Sequence, residues 1–297
     1  MSFFPEPPEV PAVQRGAGQT ELRYEDVSQD GRLMLLGLPH AIGDLVWRKL
    51  LVHHPVTRAG HAGILPILTR FIVEGGGGPV SVRWPLEGDG RYQLAHAANP
   101  DGSVKHLMLN MWCSMTGPAG RTYGPPPANA GQQIFVGRVM AEHVFTKLFA
   151  PPAERKIVRF DIDGLPAVPP DRHAWRPPET VLELPPGARP LDELFIPDAA
   201  PVVFGLNHTD SNRHVNSLVY PRFFQDAALR RFAAHGLDPN VLARRLEIAY
   251  RKPCFAGQRV RILLRAFQLG DELGAAGMVV PEDTDKPFCT VNMTFAR

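Results

Sequence analysis

Twelve of the 31 prolines in this 297-residue chain fall between Pro151 and Pro201. Proline fixes φ and has no N–H to give to a ladder, so a stretch this rich in it suits neither a helix nor a central strand. Residues 151–195 therefore read as a long extended connection, with short strands at 156–161 and 180–184. It links an N-terminal half at 26–150 to a C-terminal half at 196–297. Residues 1–25 read as an irregular tail, and the Gly/Pro-rich stretch 117–131 as coil.

The C-terminal half carries a strong period. In SLVYPRFFQDAALRRFAAHG, residues 217–236, the positions Tyr220, Phe223, Phe224, Ala227 and Ala228 form the apolar stripe of an amphipathic helix. Asn216 or Ser217 can cap its start, Gly236 can end it, and Pro221 falls in the first turn, where the missing N–H costs little. Downstream, Leu246, Ile248 and Tyr250, then Val260, Ile262 and Leu264, then Val291, Met293 and Phe295 recur at every second position. That alternation marks strands with one buried face. The N-terminal half repeats the plan. Ile64, Ile67, Leu68, Phe71 and Ile72 give a second helical stripe, with Pro66 in its first turn and Gly75 to Gly78 at its end. Strands are expected at 80–84, 91–96 and 105–115, the last with Leu107, Leu109, Met111 and Cys113 on one face. One long helix against an antiparallel sheet, twice in tandem, is an α+β protein.

Composition narrows the class. Hydrophobic residues make up 44% and charged residues 21%, which excludes a disordered chain, a coiled coil and a collagen-like chain. Lys+Arg 32 against Asp+Glu 30 leaves +2, so no charge excess points to nucleic acid or an anionic membrane. Cys113, Cys254 and Cys289 are too few and too far apart for a disulfide framework or a CxxC zinc site. The opening MSFFPEPPEVP lacks the basic start and apolar run of a signal peptide. No stretch approaches the ~18 apolar residues of a spanning helix. The expectation is a soluble protein of a reducing compartment, the cytoplasm.

The segment that carries chemistry is NHTDSNRHVNSLVY, residues 207–220. Asp210, Asn212, His214 and Asn216 fall at alternating positions just before the second helix, so an extended strand end would present all four on one side. A carboxylate, an imidazole and two amides would then converge at a helix N-terminus, with its partial positive charge and unpaired N–H groups. That is equipment for attack on a thioester. The carboxylate can orient or deprotonate a water, or attack the carbonyl itself. N–H groups around Ser217 to Tyr220 can hold the oxyanion. The same residue types also serve as ordinary helix caps.

This string resembles the D-x-x-x-H-V-N-N-x-x-Y stretch of hotdog-fold thioesterases. It is similar in particular to the D-x-N-x-H-V-N-N stretch of plant-type acyl-carrier-protein thioesterases, which are double hotdogs. Residues 249–260, AYRKPCFAGQRV, resemble the E-Y-R-R-E-C-x-x-x-x-x-V strand of that family. The likeness covers the C-terminal third well and the first half by architecture. It implies a double hotdog acting on an acyl thioester of acyl carrier protein or coenzyme A, in fatty acid or polyketide metabolism. It implies Asp210 as catalytic carboxylate, Asn212 as positioning the acyl carbonyl or the water, and His214 in proton transfer. Asn216, Ser217, Tyr220, Phe224 and Cys254 would bind substrate. Pro253 stands where the family has an acid before the cysteine, and the tryptophan that opens the family's motif is absent.

Two other readings stay open. HHPVTRAGHAGILP, residues 53–66, resembles the H-x8-G-V/I-L segment of hydroxyacyl-carrier-protein dehydratases, with His54 and Gly63 at the matching spacing. Double-hotdog dehydratases draw His from the first half and Asp from a D-x-x-x-H/Q motif in the second, which would pair His54 with Asp210. Leu68 stands where the single-hotdog enzymes carry Glu. A hotdog that binds or transfers acyl groups without hydrolysis is the third. His53, His54 and His61 have no carboxylate or cysteine to complete a metal set, and no redox cofactor is implied. The basic pairs Arg230/Arg231 and Arg244/Arg245 read as solvated faces or as contacts for an acidic carrier or coenzyme A phosphates. A fused double hotdog leaves monomer and homodimer both open.

Overall fold

A computed structural model describes residues 3–297. Met1 and Ser2 of the expected tail lie outside the described residues. The chain forms two compact units that divide between Trp175 and Arg176, inside the expected connection.

In the first unit, five antiparallel strands, β1 (Arg15–Thr20), β2 (Leu65–Gly75), β3 (Leu86–Ala98), β4 (Val104–Pro118) and β5 (Gln133–Thr146), lie in the order β1-β3-β4-β5-β2. They pack against a ten-residue helical segment, Ile42–Leu51, wound in wide π-type turns. The second unit has one 16-residue helix, α1 (Val219–Ala234). Its short strands β6 (Arg189–Pro190), β7 (Ile196–Pro197) and β8 (Val202–Val203) each pair with β10 (Arg259–Leu269). Together with β9 (Leu242–Tyr250), β11 (Glu272–Pro281) and β12 (Cys289–Ala296), β10 forms a sheet in the order β9-β12-β11-β10. Helix and four following strands thus share one permutation in both units. The strand after the helix is flanked by the fourth, then the third, then the second. The tandem duplication expected from pattern is present as topology.

The expectation of two long helices fails in the first unit. Residues 64–75 are not a helix; Leu65–Gly75 is strand β2. The stripe misled for two reasons. Arg70, Phe71, Ile72 and Val73 are all buried, and a strand covered on both faces reads as a continuous apolar run. A register shift against β5 between Leu68 and Arg70 also breaks the period of two. The topological counterpart of α1 in the first unit is the helical segment Ile42–Leu51, where Ile42, Leu45, Val46 and Leu51 are buried and Asp44 pairs with Arg48. The expected strand at 80–84 reduces to a single bridge, Val80 to Ala119. Residues 156–161 hold one bridge, Lys156 to Thr146, and Pro178–Leu182 is a 3-10 turn. The expected tail includes β1.

Close approach of helix to sheet is made by glycine. Gly16 pairs with Gly90 and Gly18 with Gly88, so four positions without a side chain lie in one patch of β1 and β3. A Cβ at Gly90 would stand 2.8 Å from Leu45 Cβ, and one at Gly88 would stand 2.3 Å from Leu45 Cδ1. In the second unit a Cβ at Gly277 would stand 2.2 Å from the Leu263 carbonyl oxygen and 2.9 Å from the ring of the fully buried Phe224. The proline-rich connection is anchored differently in keeping with its lack of donors: its carbonyls accept from side chains of the sheets. In the first unit His96 Nδ1 lies 2.8 Å from Pro169 O. In the second, Thr290 donates to Pro178 O (2.7 Å), and Asn292 donates to Val181 O and Glu183 O (3.1 and 3.0 Å).

Gly90→Ala and Gly277→Ala should each destabilise the protein by about 1–3 kcal/mol through overpacking, read as a lower urea midpoint. An unchanged midpoint in either would show that the helix above it can lift without cost.

Candidate active site

The strand end expected to present Asp210, Asn212, His214 and Asn216 on one side is a tight hairpin. Thr209 bridges to Val215. The Asp210 amide donates to His214 O (3.1 Å) and the Asn216 amide to His208 O (2.9 Å). Asp210 Oδ1 accepts the Asn212 amide (2.9 Å), and Arg213 takes the left-handed conformation, φ 64°, that closes the turn. This is the local preference of an Asp-Ser-Asn run, in which short polar side chains bond their own backbone in place of a ladder. Alternation therefore does not put the four groups on one face. The turn instead brings its two ends together: Asp210 Oδ1 stands 3.9 Å from His214 Nδ1, close enough for electrostatic coupling and too long for a hydrogen bond. Both side chains are reachable, 26% and 37% exposed. Asn212 is exposed at the tip.

The hairpin leads directly into α1. Asn216 Oδ1 accepts the Leu218 amide (2.9 Å) and Asn216 O accepts the Val219 amide (3.0 Å). Two of the amides expected to hold an oxyanion are thus engaged by Asn216, in a turn just ahead of the helix, whose cap position is Leu218 without a side-chain bond. Beneath the hairpin the Val215 amide donates to Cys254 O (2.8 Å), and the Cys254 amide donates to the Tyr220 hydroxyl (2.9 Å). Tyr250 donates to Ser217 O (2.8 Å). Phe204, His208, Tyr220, Phe223 and Tyr250 pack edge to face around these bonds, with centroids 5.2 to 6.0 Å apart. Tyr220, Phe224 and Cys254 are buried at 3% exposure or less; Tyr220 and Cys254 support the turn, and Phe224 packs over Gly277 of β11. Burial pushes the Cys254 thiol up to about 12, and its sulfur is therefore protonated and inert near neutrality. The second unit has a cavity of about 170 Å³ at the β8–β10 edge, lined by residues of 198–203 and 259–261 with Glu282, and by none of 207–220.

His54 lies in the first unit. Its Nδ1 accepts the Val56 amide (3.1 Å) as the cap of a 3-10 turn, its ring packs edge-on to Tyr92, and burial lowers its pKa. Among the described residues no group of three or more His, Cys, Asp and Glu is arranged to hold a metal, and no helix is long and apolar enough to cross a membrane.

Sequence reading missed the titratable groups set deepest in the fold. Asp192 is 5% exposed and accepts from Arg231 and His235 of the α1 end and from the Ala266 amide of β10 (2.8 Å). Burial alone would raise its pKa; Arg231, the amide and His235 outweigh it and hold the carboxyl low. Glu142 on β5 accepts from Thr69 (2.9 Å) and lies 2.9 Å from His173 Nε2 of the connection. Burial opposes ionisation there too, but His173 and Arg70 keep the carboxylate charged. One residue on, His143 points to the other face of the sheet, edge-on to Trp47, and burial depresses it to about 4. No periodicity marks these residues, since each depends on a partner distant in sequence.

No protein-family model matches the chain, and no curated protein matches it in sequence. Solved structures do. An oleoyl thioesterase from Lactobacillus plantarum superposes with a TM-score of 0.59 at 14% identity, over 95% of this chain and 94% of the other. An acyl-ACP thioesterase from Bacteroides thetaiotaomicron gives 0.59 at 12% identity, over 95% and 98%. The 12:0-ACP thioesterase from Umbellularia californica gives 0.57 at 11% identity, over 95% and 94%. The chain therefore has the fold of these acyl thioesterases over nearly its whole length.

The buried histidine has a consequence for stability. Its folded pKa of about 4 lies below the ordinary 6.5, so between these values the unfolded chain binds a proton that the folded one refuses. Stability should fall as pH drops from 6.5 toward 4, by up to roughly 3 kcal/mol from His143 alone. The low-pKa carboxyls Asp26, Glu142 and Asp192 act further down, losing their contribution as pH falls below the ordinary carboxylate range. In thermal melts a His143→Gln variant should lose less between pH 6.5 and 4.5 than the parent chain; parallel curves would refute the assignment.

Proposed function

We propose that the protein hydrolyses an acyl thioester of acyl carrier protein or coenzyme A, with Asp210 and His214 as the working pair. The observation that carries this reading is the hairpin itself. It holds a half-exposed carboxylate and a half-exposed imidazole 3.9 Å apart immediately ahead of α1, in a chain whose fold is that of acyl thioesterases. Asp210 Oδ1 is engaged by the turn and Oδ2 is not. Oδ2 is then the oxygen that orients or deprotonates a water, or attacks the carbonyl carbon. In the hydrolytic route, water oxygen bonds to that carbon as Asp210 takes the water's proton, the carbon–sulfur bond breaks, and that proton passes by way of His214 to the departing thiolate. The adjoining helix start contributes a positive field to the oxyanion. Asn212, exposed at the tip of the turn, then contacts the acyl carbonyl or the water in this reading.

Asp210→Asn is a clean test, because an amide oxygen can still accept the Asn212 amide and preserve the turn. With a panel of acyl-coenzyme A and acyl-carrier-protein substrates, free thiol release by this variant should fall at least about 100-fold while the melting temperature holds. His214→Ala should fall comparably. Thiol release unchanged in Asp210→Asn, or an enoyl thioester formed with no thiol, would remove the hydrolase reading.

A further inference from the structure

Three loops of the first unit, residues 24–31, 79–84 and 119–123, meet at a surface that the proposed chemistry does not use. They are tied together by the Val80 amide donating to Gly31 O (2.7 Å), the bridge of Val80 to Ala119, and the Val82 amide donating to Thr122 Oγ1 (3.1 Å). On this base Tyr24 stacks on Tyr123, with centroids 6.5 Å apart at 25°. The rings face water: Tyr24 is 66% exposed, Tyr123 72% and nearby Trp84 57%. A cavity of about 190 Å³ opens beside the tyrosine pair, with Ser28, Arg121 and Thr122 in its wall.

The patch holds acids neutralised by neighbouring arginines, and two further arginines that are not neutralised. Its acids are Glu25, Asp26 and Asp30, and there is none in 79–84 or 119–123. Glu25 and Asp26 are paired with Arg23, and Asp30 with Arg32 and Ser28. Arg83 and Arg121 are exposed and form no ion pair among the described residues; the field of Arg83 reaches the Tyr24 hydroxyl. Tyrosine, tryptophan and arginine are the residues from which binding hot spots are built, and here two unneutralised arginines frame three exposed rings. A small anion would use the cavity and leave the outward rings idle. A protein surface would cover both.

We infer that this patch is a docking surface for the acidic face of a protein partner. In the thioester reading, on which the choice of probe rests, that partner is the protein that carries the acyl group. Aromatic rings supply contact area at low entropic cost, and the free arginines set register and speed encounter.

The test titrates the protein with purified apo acyl carrier protein at low and high salt. Binding should weaken with salt, and weaken about 10-fold or more in Arg83→Glu/Arg121→Glu and in Tyr24→Ser/Trp84→Ser. Acyl-coenzyme A hydrolysis and melting temperature should be unchanged in both variants. The inference falls if the carrier protein does not bind, or if it binds the variants as tightly as the parent. It also falls if inorganic phosphate or coenzyme A competes for the same residues while the protein does not bind, or if the variants instead abolish self-association of this chain. Loss of thioester hydrolysis in the parent with salt-sensitive, variant-sensitive binding intact would strike the proposed function and leave the docking surface standing.

Discussion

Everything in either unit rests on a helix lying closer to its sheet than ordinary side chains allow. Leu45 sits over a glycine patch of β1 and β3, and Phe224 sits over Gly277 of β11. Side-chain packing usually holds a helix and sheet about a full residue layer apart; removing one layer lets a large apolar group reach the ladder and exclude water from it. In the second unit this seating fixes the axis of α1, hence the height and direction of its first turn. The hairpin that carries Asp210 and His214 hangs from that turn through Asn216.

The candidate site is correspondingly built on support from below. Backbone groups of Cys254 and the hydroxyl of Tyr220 hold the returning arm of the hairpin, and five rings enclose those bonds. Such bonds are strong because they are dry. Asp210 and His214 themselves stay partly open to water, as the proposed exchange of protons with water and a leaving thiolate requires. The phenols of Tyr220 and Tyr250, raised by burial, remain hydroxyls throughout the usable pH range.

Legibility followed the physics of periodicity. Residues 217–236 and the alternating runs of β4, β9, β10 and β12 could be read directly, since their large apolar side chains recur at the period of the element. β2 could not, because it is buried on both sides and bulged. β11 could not either: LGAAGMVV shows no alternation, for its glycines answer to Phe267 and Phe224 rather than to a pleat. The site was legible as residue types and spacing and illegible as shape. Asp210 bends the chain by accepting the Asn212 amide, and a motif written as a line cannot show that its first and last members face each other. The clamp at Asp192 was invisible because its partners, Arg231 and His235 among them, lie far along the sequence.

The shared permutation of the two units makes their difference informative. Where the second unit enters its helix through an acid, an amide and an imidazole, the first enters through Leu35–Gly37, the fully buried Leu38 and Pro39, with a buried, unpartnered His40 Nε2. The buried Asp26 carboxylate lies against Gly37 of that entrance and acts on His40, but it is held by Arg23. The two halves keep one scaffold, while the segments that lead into their helices carry different polar groups.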